Sequence, residues 1–258
     1  MFRPRVIPCL LLKDKGLVKT IKFKEPKYIG DPINAIRIFN EKRADELIFL
    51  DIKATEEKRI PNLEFISQIS DECSMPFGVG GGIRKIEHIK NLIAAGAEKA
   101  IINSYAIERP DFVTETANRF GSQSVVVSID VKKNFFGKYE VYIKSGKIAT
   151  GLDPVACAKE MEKRGAGEIF LNSIDKDGTM SGYDINLIEK VSKSVDIPVV
   201  ACGGAGSVED FQTAVNEGYA SAVSAGSIFV FVGKHRAVLI NFPSVDEINR
   251  VLQQRAIY

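Results

Sequence analysis

The chain has 258 residues, 45% of them apolar, and its 35 basic and 33 acidic side chains leave a net charge of +2. This length and apolar content suit one large α/β domain, and the nearly balanced charge gives no argument for a nucleic-acid or membrane partner. The four cysteines are widely spaced and form no CxxC pair, so neither disulfides nor a zinc site is expected and a reducing cytoplasm is favoured. We predict no metal and no cofactor.

The amino terminus resembles a secretory signal only superficially. Its apolar run stops at Lys13, Asp14 and Lys15 without the small-residue cleavage site of a signal peptide. We therefore interpret the run as the first strand of the fold.

Eight short apolar runs are predicted to be buried strands. They span residues 6–12, 47–51, 77–80, 100–103, 125–130, 169–172, 199–202 and 222–225. Helical patterns lie between most of them, as at Ile86, Ile89 and Ile93, whose spacing places them on one helix face. Eight strands that alternate with helices in about 250 residues predict an α/β fold, a single (β/α)8 TIM barrel domain over residues 1–258.

Two stretches depart from this alternation, and both follow a predicted strand. Residues 13–31, rich in lysine and glycine, are predicted to form a long loop after the first strand. Residues 132–150 are predicted to form a hairpin after the fifth strand, because alternating apolar residues precede a Ser145-Gly146 turn.

The chain repeats itself by halves, which predicts a barrel built from two similar half-barrels of about residues 1–121 and 122–243. Residues 9–13 match 128–132, residues 48–51 match 169–172, and residues 81–82 match 203–204, at offsets of 119, 121 and 122 residues. A terminal helix over residues 244–255 is predicted from the capping box formed by Ser244 and Glu247.

Paired glycines follow the third strand of each half. Glycine lets a backbone approach an anion closely, and the helix that follows supplies oriented N–H donors. The next strands also end in small, donor-rich residues. The predicted phosphate-binding set is Gly81, Gly82, Asn103, Ser104, Gly178, Gly203, Gly204, Gly226 and Ser227. Turn formation alone would explain one such site, whereas its duplication predicts a long ligand with a phosphate at each end.

Asp130 ends the fifth strand, where a carboxylate points into the barrel mouth, and Leu11 holds the corresponding position in the first half. Carboxylates at both positions would supply a general acid and a general base from opposite sides. Leucine carries no proton, so this chain keeps at most one of the two. Lys19, Asp51 and Asp177 are further candidates for proton transfer. The alternative is that Asp130 only caps a loop.

Four charged residues stand at the starts of strands, on the amino-terminal face of the predicted barrel: Arg5, Glu46, Lys99 and Glu168. Burying such charges singly would be costly, so they are expected to bond one another and close the bottom of the barrel. The alternative from spacing alone is that they are ordinary surface charges.

The chain resembles the cyclase subunit of imidazole glycerol phosphate synthase over nearly its whole length. The resemblance is carried by residues 48–51, 79–83, 120–130, 163–168, 173–184 and 202–206. It implies a TIM barrel that binds a bis-phosphate ribonucleotide at its mouth and docks a glutaminase subunit on its amino-terminal face. It also implies that ammonia crosses the barrel through a charged gate, whose positions match Arg5, Glu46, Lys99 and Glu168.

The sequence departs from the family pattern at the catalytic residues. The two catalytic aspartates of the family fall on Leu11 and Asp130, and loss of one proton-transfer group costs roughly 10²–10⁴-fold in rate. Asn172 replaces a threonine that is usual after the sixth strand. The tail over residues 229–241 is similar to that of a paralogous group associated with bacterial surface-polysaccharide genes.

Three hypotheses follow from this resemblance. In the first, the chain is an ammonia-channelling subunit with a weak or absent cyclase, and it supplies a third enzyme, a sugar amidotransferase. In the second, it is a true cyclase of histidine biosynthesis in which another group replaces the acid at position 11. In the third, it is a regulatory barrel that binds phosphates without passing ammonia. Leu11 favours the first, and the retained glycine turns and Asp130 favour the second.

Overall fold

The computed structural model describes residues 3–233 and 235–252. Eight parallel strands form a closed barrel, and we number only these barrel strands: β1 (Arg5–Lys13), β2 (Leu47–Asp51), β3 (Phe77–Gly80), β4 (Lys99–Ile102), β5 (Val125–Lys133), β6 (Glu168–Ser173), β7 (Val199–Cys202) and β8 (Ala222–Ala225). Parallel pairing of β8 with β1 closes the barrel, with Ala222 opposite Arg5. The predicted (β/α)8 fold is confirmed, and each predicted strand falls on one of these eight.

Helices on the outside connect the strands. They are α1 (Pro32–Glu41), α2 (Leu63–Glu72), α3 (Ile86–Ala94), α4 (Ser104–Glu108), α5 (Asp111–Phe120), α6 (Pro154–Lys163), α7 (Ile185–Ser192), α8 (Val208–Asn216) and α9 (Val245–Leu252). Short 3₁₀ turns span Ser122–Ser124 and Ser227–Phe229. The predicted terminal helix is present as α9, and residues 253–255 of that prediction lie outside the described residues.

Strand periodicity separates two apolar layers. On β6, Ile169 and Leu171 belong to the layer between strands and helices, whereas Phe170 points into the barrel, because successive side chains alternate between faces. Phe170 packs there in a small inner cluster with Ile7, Cys9, Ile48, Ile101, Val126, Val200, Cys202 and Ala222. The inward side of the strands is therefore a packed apolar interior between the two ends of the barrel.

The prediction of a long loop over residues 13–31 is wrong. This segment is an antiparallel hairpin of Gly16–Ile21 and Lys24–Gly30, which we call the first hairpin. It extends β1 beyond the barrel, with Leu11 opposite Val18. Its exposed face carries several lysines, and such a polar composition is typical of a loop. Leu17 and Ile29 are buried on the other face.

Two more hairpins extend from the same end of the barrel. The second hairpin, residues 131–149, pairs the end of β5 with Tyr139–Ile143 and that strand with Ile148–Ala149, which confirms its prediction. The third hairpin pairs Phe231–Val232 with Ala237–Val238. None of the helices in the described part of the chain combines the length and apolar character needed to cross a bilayer.

Candidate active site and charged ring

A cavity of about 720 Å³ opens at the carboxyl ends of the barrel strands, which we call the mouth. The structure brings together here all of the residues predicted for phosphate binding and proton transfer: Leu11, Lys19, Asp51, Gly81, Gly82, Asn103, Ser104, Asp130, Asp177, Gly178, Gly203, Gly204, Gly226 and Ser227. Residues from both halves of the chain surround one cavity, because parallel barrel strands all end at this face. Their individual roles stay predictions.

Asp130 is a buried carboxyl group that accepts hydrogen bonds from two amides. Asn103 Nδ2 lies 3.1 Å from Asp130 Oδ2, and Asn172 Nδ2 lies 3.5 Å from Asp130 Oδ1. Burial raises the pKa of Asp130 to about 7, and the two amide donors only partly oppose this shift. A carboxyl group with that pKa can both donate and accept a proton near neutral pH, as a general acid or base must.

Leu11 also lines the mouth, and it lies next to Leu50 in the register of β1 and β2. Within the described residues, neither a second carboxyl group nor a basic side chain hydrogen-bonds to Asp130. Asp130 therefore has no ion-pair partner among the described residues, and position 11 supplies only an apolar side chain to the mouth.

Lys19 and Asp177 also line the mouth, and the charge of Lys19 acts on Asp177. The ammonium group of Lys19, which is buried, donates to the backbone carbonyl of Cys9 at 2.5 Å. Asp177 Oδ2 accepts from Thr20 Oγ1 at 3.1 Å and from the Phe23 amide at 3.3 Å. Burial raises the pKa of Asp177, and the nearby charge of Lys19 opposes that rise. These contacts tie the first hairpin to the β6–α7 loop.

Both carboxylate oxygens of Asp51 have bonding partners, and the sequence around Asp51 did not indicate these bonds. Its Oδ1 accepts from the Lys53 and Ala54 amides at 3.0 and 3.1 Å. Its Oδ2 pairs with Arg59 Nη1 at 2.5 Å. These bonds shape the loop after β2, and the only available signal for them was an arginine eight residues downstream. Proton transfer by Asp51 stays a prediction that would require this ion pair to open.

The glycine turn after β3 is required by close backbone approach. A Cβ atom on Gly82, whose φ is +64°, would lie 1.8 Å from the carbonyl oxygen of Arg59. Nearby, Asn103 Nδ2 also donates to the Ser128 carbonyl at 3.0 Å, and Ser104 Oγ accepts from the Lys144 amide at 2.9 Å. In the first predicted cradle, the glycine turn thus packs closely on the Arg59 backbone, and the side chains of Asn103 and Ser104 are already oriented by hydrogen bonds.

The corresponding turn after β7 is equally constrained. A Cβ atom on Gly204, whose φ is +117°, would lie 2.2 Å from the Gly182 carbonyl oxygen, and one on Gly226 would lie 1.9 Å from Lys19 Nζ. Asp210 accepts from the amides of Gly206 and Ser207, which are donors at the start of α8. The second predicted cradle therefore offers its remaining backbone donors beside a buried lysine.

Two features of the mouth went unassigned at the sequence level. Asn172 Oδ1 is one of two buried side-chain polar atoms, among those described, that have no hydrogen-bond partner. Cys9 and Cys202, which are separated by nearly 200 residues, meet on the inner face of the barrel. The pKa of Cys202 is raised well above the ordinary thiol value by its hydrogen bond with Cys9 and by burial. Only the closure of the barrel brings these two thiols together.

The four strand-start charges form a closed ring at the opposite end. Arg5 pairs with both Glu46 and Glu168. Lys99 Nζ lies 2.8 Å from Glu46 Oε1 and 3.0 Å from Glu168 Oε2. Each charge thus has two partners of opposite sign, and the two glutamates are almost fully buried. The expected pairing is present, and the reading of these residues as independent surface charges is not supported.

The chain is similar in sequence to known proteins over most of its length. The family described as histidine biosynthesis protein matches residues 5–235. A Pseudomonas aeruginosa protein, provisionally named imidazole glycerol phosphate synthase subunit hisF2, is 52% identical over 249 residues, which cover 96% of this chain and 99% of that protein. A Leptospira interrogans protein with a similar provisional name is 47% identical over 248 residues, 96% of this chain and 98% of that one. Imidazole glycerol phosphate synthase subunit HisF of Alkaliphilus metalliredigens is 45% identical over 229 residues, covering 89% and 91%.

Proposed function

The chain belongs to the histidine biosynthesis protein family, and on this premise we propose that it is the barrel subunit of a glutamine amidotransferase complex. A glutaminase subunit docks on the amino-terminal face, and its ammonia crosses the barrel to the mouth. There a bis-phosphate ribonucleotide or a related phosphorylated ligand binds, or ammonia passes on to a third enzyme, a sugar amidotransferase of surface-polysaccharide synthesis. The chain's own cyclase reaction is slow because Leu11 replaces one of two acid–base groups.

The charged ring is the observation that carries this proposal. Its four side chains neutralise one another and cover a barrel interior lined by apolar residues such as Ile7, Ile101 and Phe170. Neutral ammonia enters an apolar interior far more readily than ammonium, which would lose its hydration. A ring that opens by breaking one ion pair would admit the neutral molecule and exclude charged ones.

Binding of the glutaminase is tested with charge reversals on the amino-terminal face. Lys42 and Glu98 are exposed there, close in sequence to ring residues Glu46 and Lys99. We expect Lys42→Glu and Glu98→Lys together to weaken binding of the glutaminase subunit in titration calorimetry by about tenfold. The control is Lys147→Glu, an equivalent reversal on the second hairpin at the other end. No binding by the wild type, or equal binding by all three proteins, would count against the proposal.

The cyclase deficit is tested by restoring the missing acid. We expect turnover of the bis-phosphate ribonucleotide with added ammonia to be near background in the wild type and to rise in Leu11→Asp. The matched control is Leu50→Asp, which places the same group on the neighbouring strand of the mouth, in register with position 11. It should fold equally well and stay inactive. Equal activity of both variants would remove the special role of position 11.

An authentic cyclase of histidine biosynthesis is the second candidate. The pKa of Asp130, raised by burial to about 7, favours it, because this is suited to proton transfer without a second aspartate. Several relatives also carry the name of the synthase subunit. Wild-type turnover on the order of 1–10³ s⁻¹, the ordinary range for enzymes, would establish this alternative and direct attention to Lys19 and Asp177.

A further inference from the structure

Exposed apolar side chains are concentrated at one end of the molecule. Of the ten large apolar side chains that are exposed among the described residues, nine lie on the mouth side, on the three hairpins or directly after the second or the third of them. The exception is Tyr219, which precedes β8 at the opposite end. Scattered exposure is normal on a soluble protein, whereas a concentration on one rim is typical of an interaction surface.

The second hairpin presents two of these side chains almost completely to solvent. Phe135 is 97% exposed and Phe136 is 83% exposed, and their rings contact edge to face at 5.6 Å between centroids. The tip is nevertheless well ordered by hydrogen bonds. Asn134 Oδ1 accepts from the amides of Phe136 and Lys138 at 3.0 and 3.1 Å, and the Asn134 amide donates to the Lys138 carbonyl at 2.8 Å. These hydrogen bonds order the backbone that carries both rings, so the turn loses little backbone conformational entropy on binding.

The base of this hairpin is fastened to the barrel. The Lys133 amide donates to Asp175 Oδ2 at 2.8 Å, and Tyr139 Oη donates to Asp184 Oδ1 at 2.7 Å. The lysine side chain of residue 133 lies over the Tyr139 ring, with Nζ 5.0 Å from the centroid. The two phenylalanines are thus held at a defined position beside the mouth.

The hairpin surface is also strongly basic. Residues 13–30 and 131–149, which contain the first and second hairpins, carry eleven lysines and three acidic residues. The rest of the chain carries 24 basic and 30 acidic residues. Nearly all of these hairpin lysines are exposed or half-buried, Lys19 being the buried one. Such an asymmetry creates a positive potential on this face and favours a partner of opposite sign.

We propose that the three hairpins form a docking surface for an acidic protein, which contacts Phe135 and Phe136 through an apolar centre and caps the mouth. The inference rests on the proposed function, since ammonia that reaches an open mouth would be protonated in water and lost. A cap on this rim would make the mouth continuous with the partner's own site. The partner is thus an enzyme that consumes ammonia.

The shape of the rim favours a protein over an anionic bilayer. The exposed apolar side chains lie on three separate hairpins around a cavity, whereas binding in a bilayer surface calls for one continuous apolar face. A second concavity of about 620 Å³ lies beside the aromatic tip, between the hairpin and the starts of α6 and α7. Its walls include Lys138, Glu140 and Asp153, which suit the polar side chains of a protein better than lipid acyl chains.

Photocrosslinking identifies the occupant. Benzoylphenylalanine is placed at position 136 and, as a control, at position 219, which is 54% exposed at the other end. Each full-length protein is irradiated in cytosol of the source organism, and products are identified by mass spectrometry. We expect one ammonia-consuming enzyme with an acidic face to be linked at position 136 and absent at 219. No product at position 136, the same product at both positions, or a dimer of this chain would overturn the proposal.

Binding of the identified enzyme is then measured with purified proteins. We expect Phe135→Ser/Phe136→Ser to weaken binding by about tenfold or more, and Tyr219→Ser to leave it unchanged. Higher salt should weaken binding by the wild type. Unchanged binding by the double variant would overturn the assignment. Phosphatidylglycerol vesicles test the membrane alternative. If the wild type cosediments with the vesicles and the double variant does not, the surface binds a membrane instead.

The outcome is separable from that of the proposed function. Glutaminase binding at the amino-terminal face does not involve the hairpins, so the hairpin double variant should retain it. If the glutaminase fails to bind while the mouth partner binds in a Phe-dependent manner, the proposed function fails and the docking surface stands. If the glutaminase binds and the mouth partner does not, only the docking surface fails.

Discussion

The two ends of the barrel bury charged groups in opposite ways. At the amino-terminal end, Arg5, Glu46, Lys99 and Glu168 satisfy one another in a closed ring. At the mouth, Asp130 is equally buried but has only amide donors, and its pKa is raised accordingly. A paired buried charge is neutralised in place, whereas an unpaired carboxyl group stays able to exchange a proton. The charged ring is therefore suited to closing the barrel, whereas Asp130 is suited to proton transfer.

Breaking the ring should have the largest effect on stability. Glu46→Ala leaves Arg5 and Lys99 each without one partner in a largely buried setting, so we expect the free energy of unfolding to fall by about 3–5 kcal/mol. The control is Glu115→Ala, which removes an exposed ion pair with Arg109 and should have little effect on stability, because solvent screens such a pair. Urea unfolding measures both. Equal losses in the two variants would mean that the ring is no more than a surface network.

The pH dependence of stability should show that Asp130, in contrast to the paired charges of the ring, keeps its proton in the folded state. An unfolded aspartate ionises near pH 4, whereas folded Asp130 keeps its proton to about pH 7 because burial raises its pKa. Between these pH values only the unfolded state has released the proton. The contribution of Asp130 to the stability of the folded state is therefore lost as the pH rises.

We therefore expect the difference in unfolding free energy between wild type and Asp130→Asn to shift by about 3 kcal/mol from pH 5 to pH 8, in favour of the variant at pH 8. Urea unfolding at the two pH values measures it, and taking the difference cancels the titration of all other groups. A pH-independent difference would show that Asp130 ionises normally.

The glycine turns at the mouth should affect ligand binding as well as folding. Gly82→Ala forces a Cβ atom toward the Arg59 carbonyl, so we expect the affinity for inorganic phosphate to fall by about tenfold, or about 1.4 kcal/mol. Gly137→Ala is the matched control, because its φ of +75° imposes a similar backbone strain with nothing within 4 Å. Equal phosphate affinity in both variants, or phosphate-soaked crystals that show density at neither glycine turn, would contradict the predicted cradles.

The smallest effect is expected at Asn172, which donates the longer of the two amide bonds to Asp130. Asn172→Ala removes a donor that lowers the pKa of Asp130, so this pKa should rise further. The change in unfolding free energy should stay within about 1 kcal/mol, because the variant also removes an amide oxygen without a hydrogen-bond partner. Carbon-13 NMR titration of the Asp130 carboxyl group measures the shift. A lower pKa in the variant would show that the amide does not donate to Asp130.

Much of the barrel could be predicted from the sequence because its signals are local. The apolar runs of β1–β8 are short and separated by helical patterns, and Asp184 precedes α7 as a side-chain cap whose carboxylate accepts from the Leu187 amide. The first hairpin was missed because its exposed strand face is polar, with Lys24 and Lys27 facing solvent. Its stability depends on the edge of β1, a partner that no local pattern contains.

The sequence by itself determined the barrel, the strand ends that carry the candidate site and the four positions of the charged ring. Only the tertiary structure decided how those groups are paired: Asp51 with Arg59, Cys9 beside Cys202, and Asp130 with amides but no cation. It also decided that Phe135 and Phe136 stand in solvent instead of packing in the core. The physical reason is that strand periodicity depends on neighbours along the chain, whereas pairing and burial depend on residues that closure of the barrel brings together.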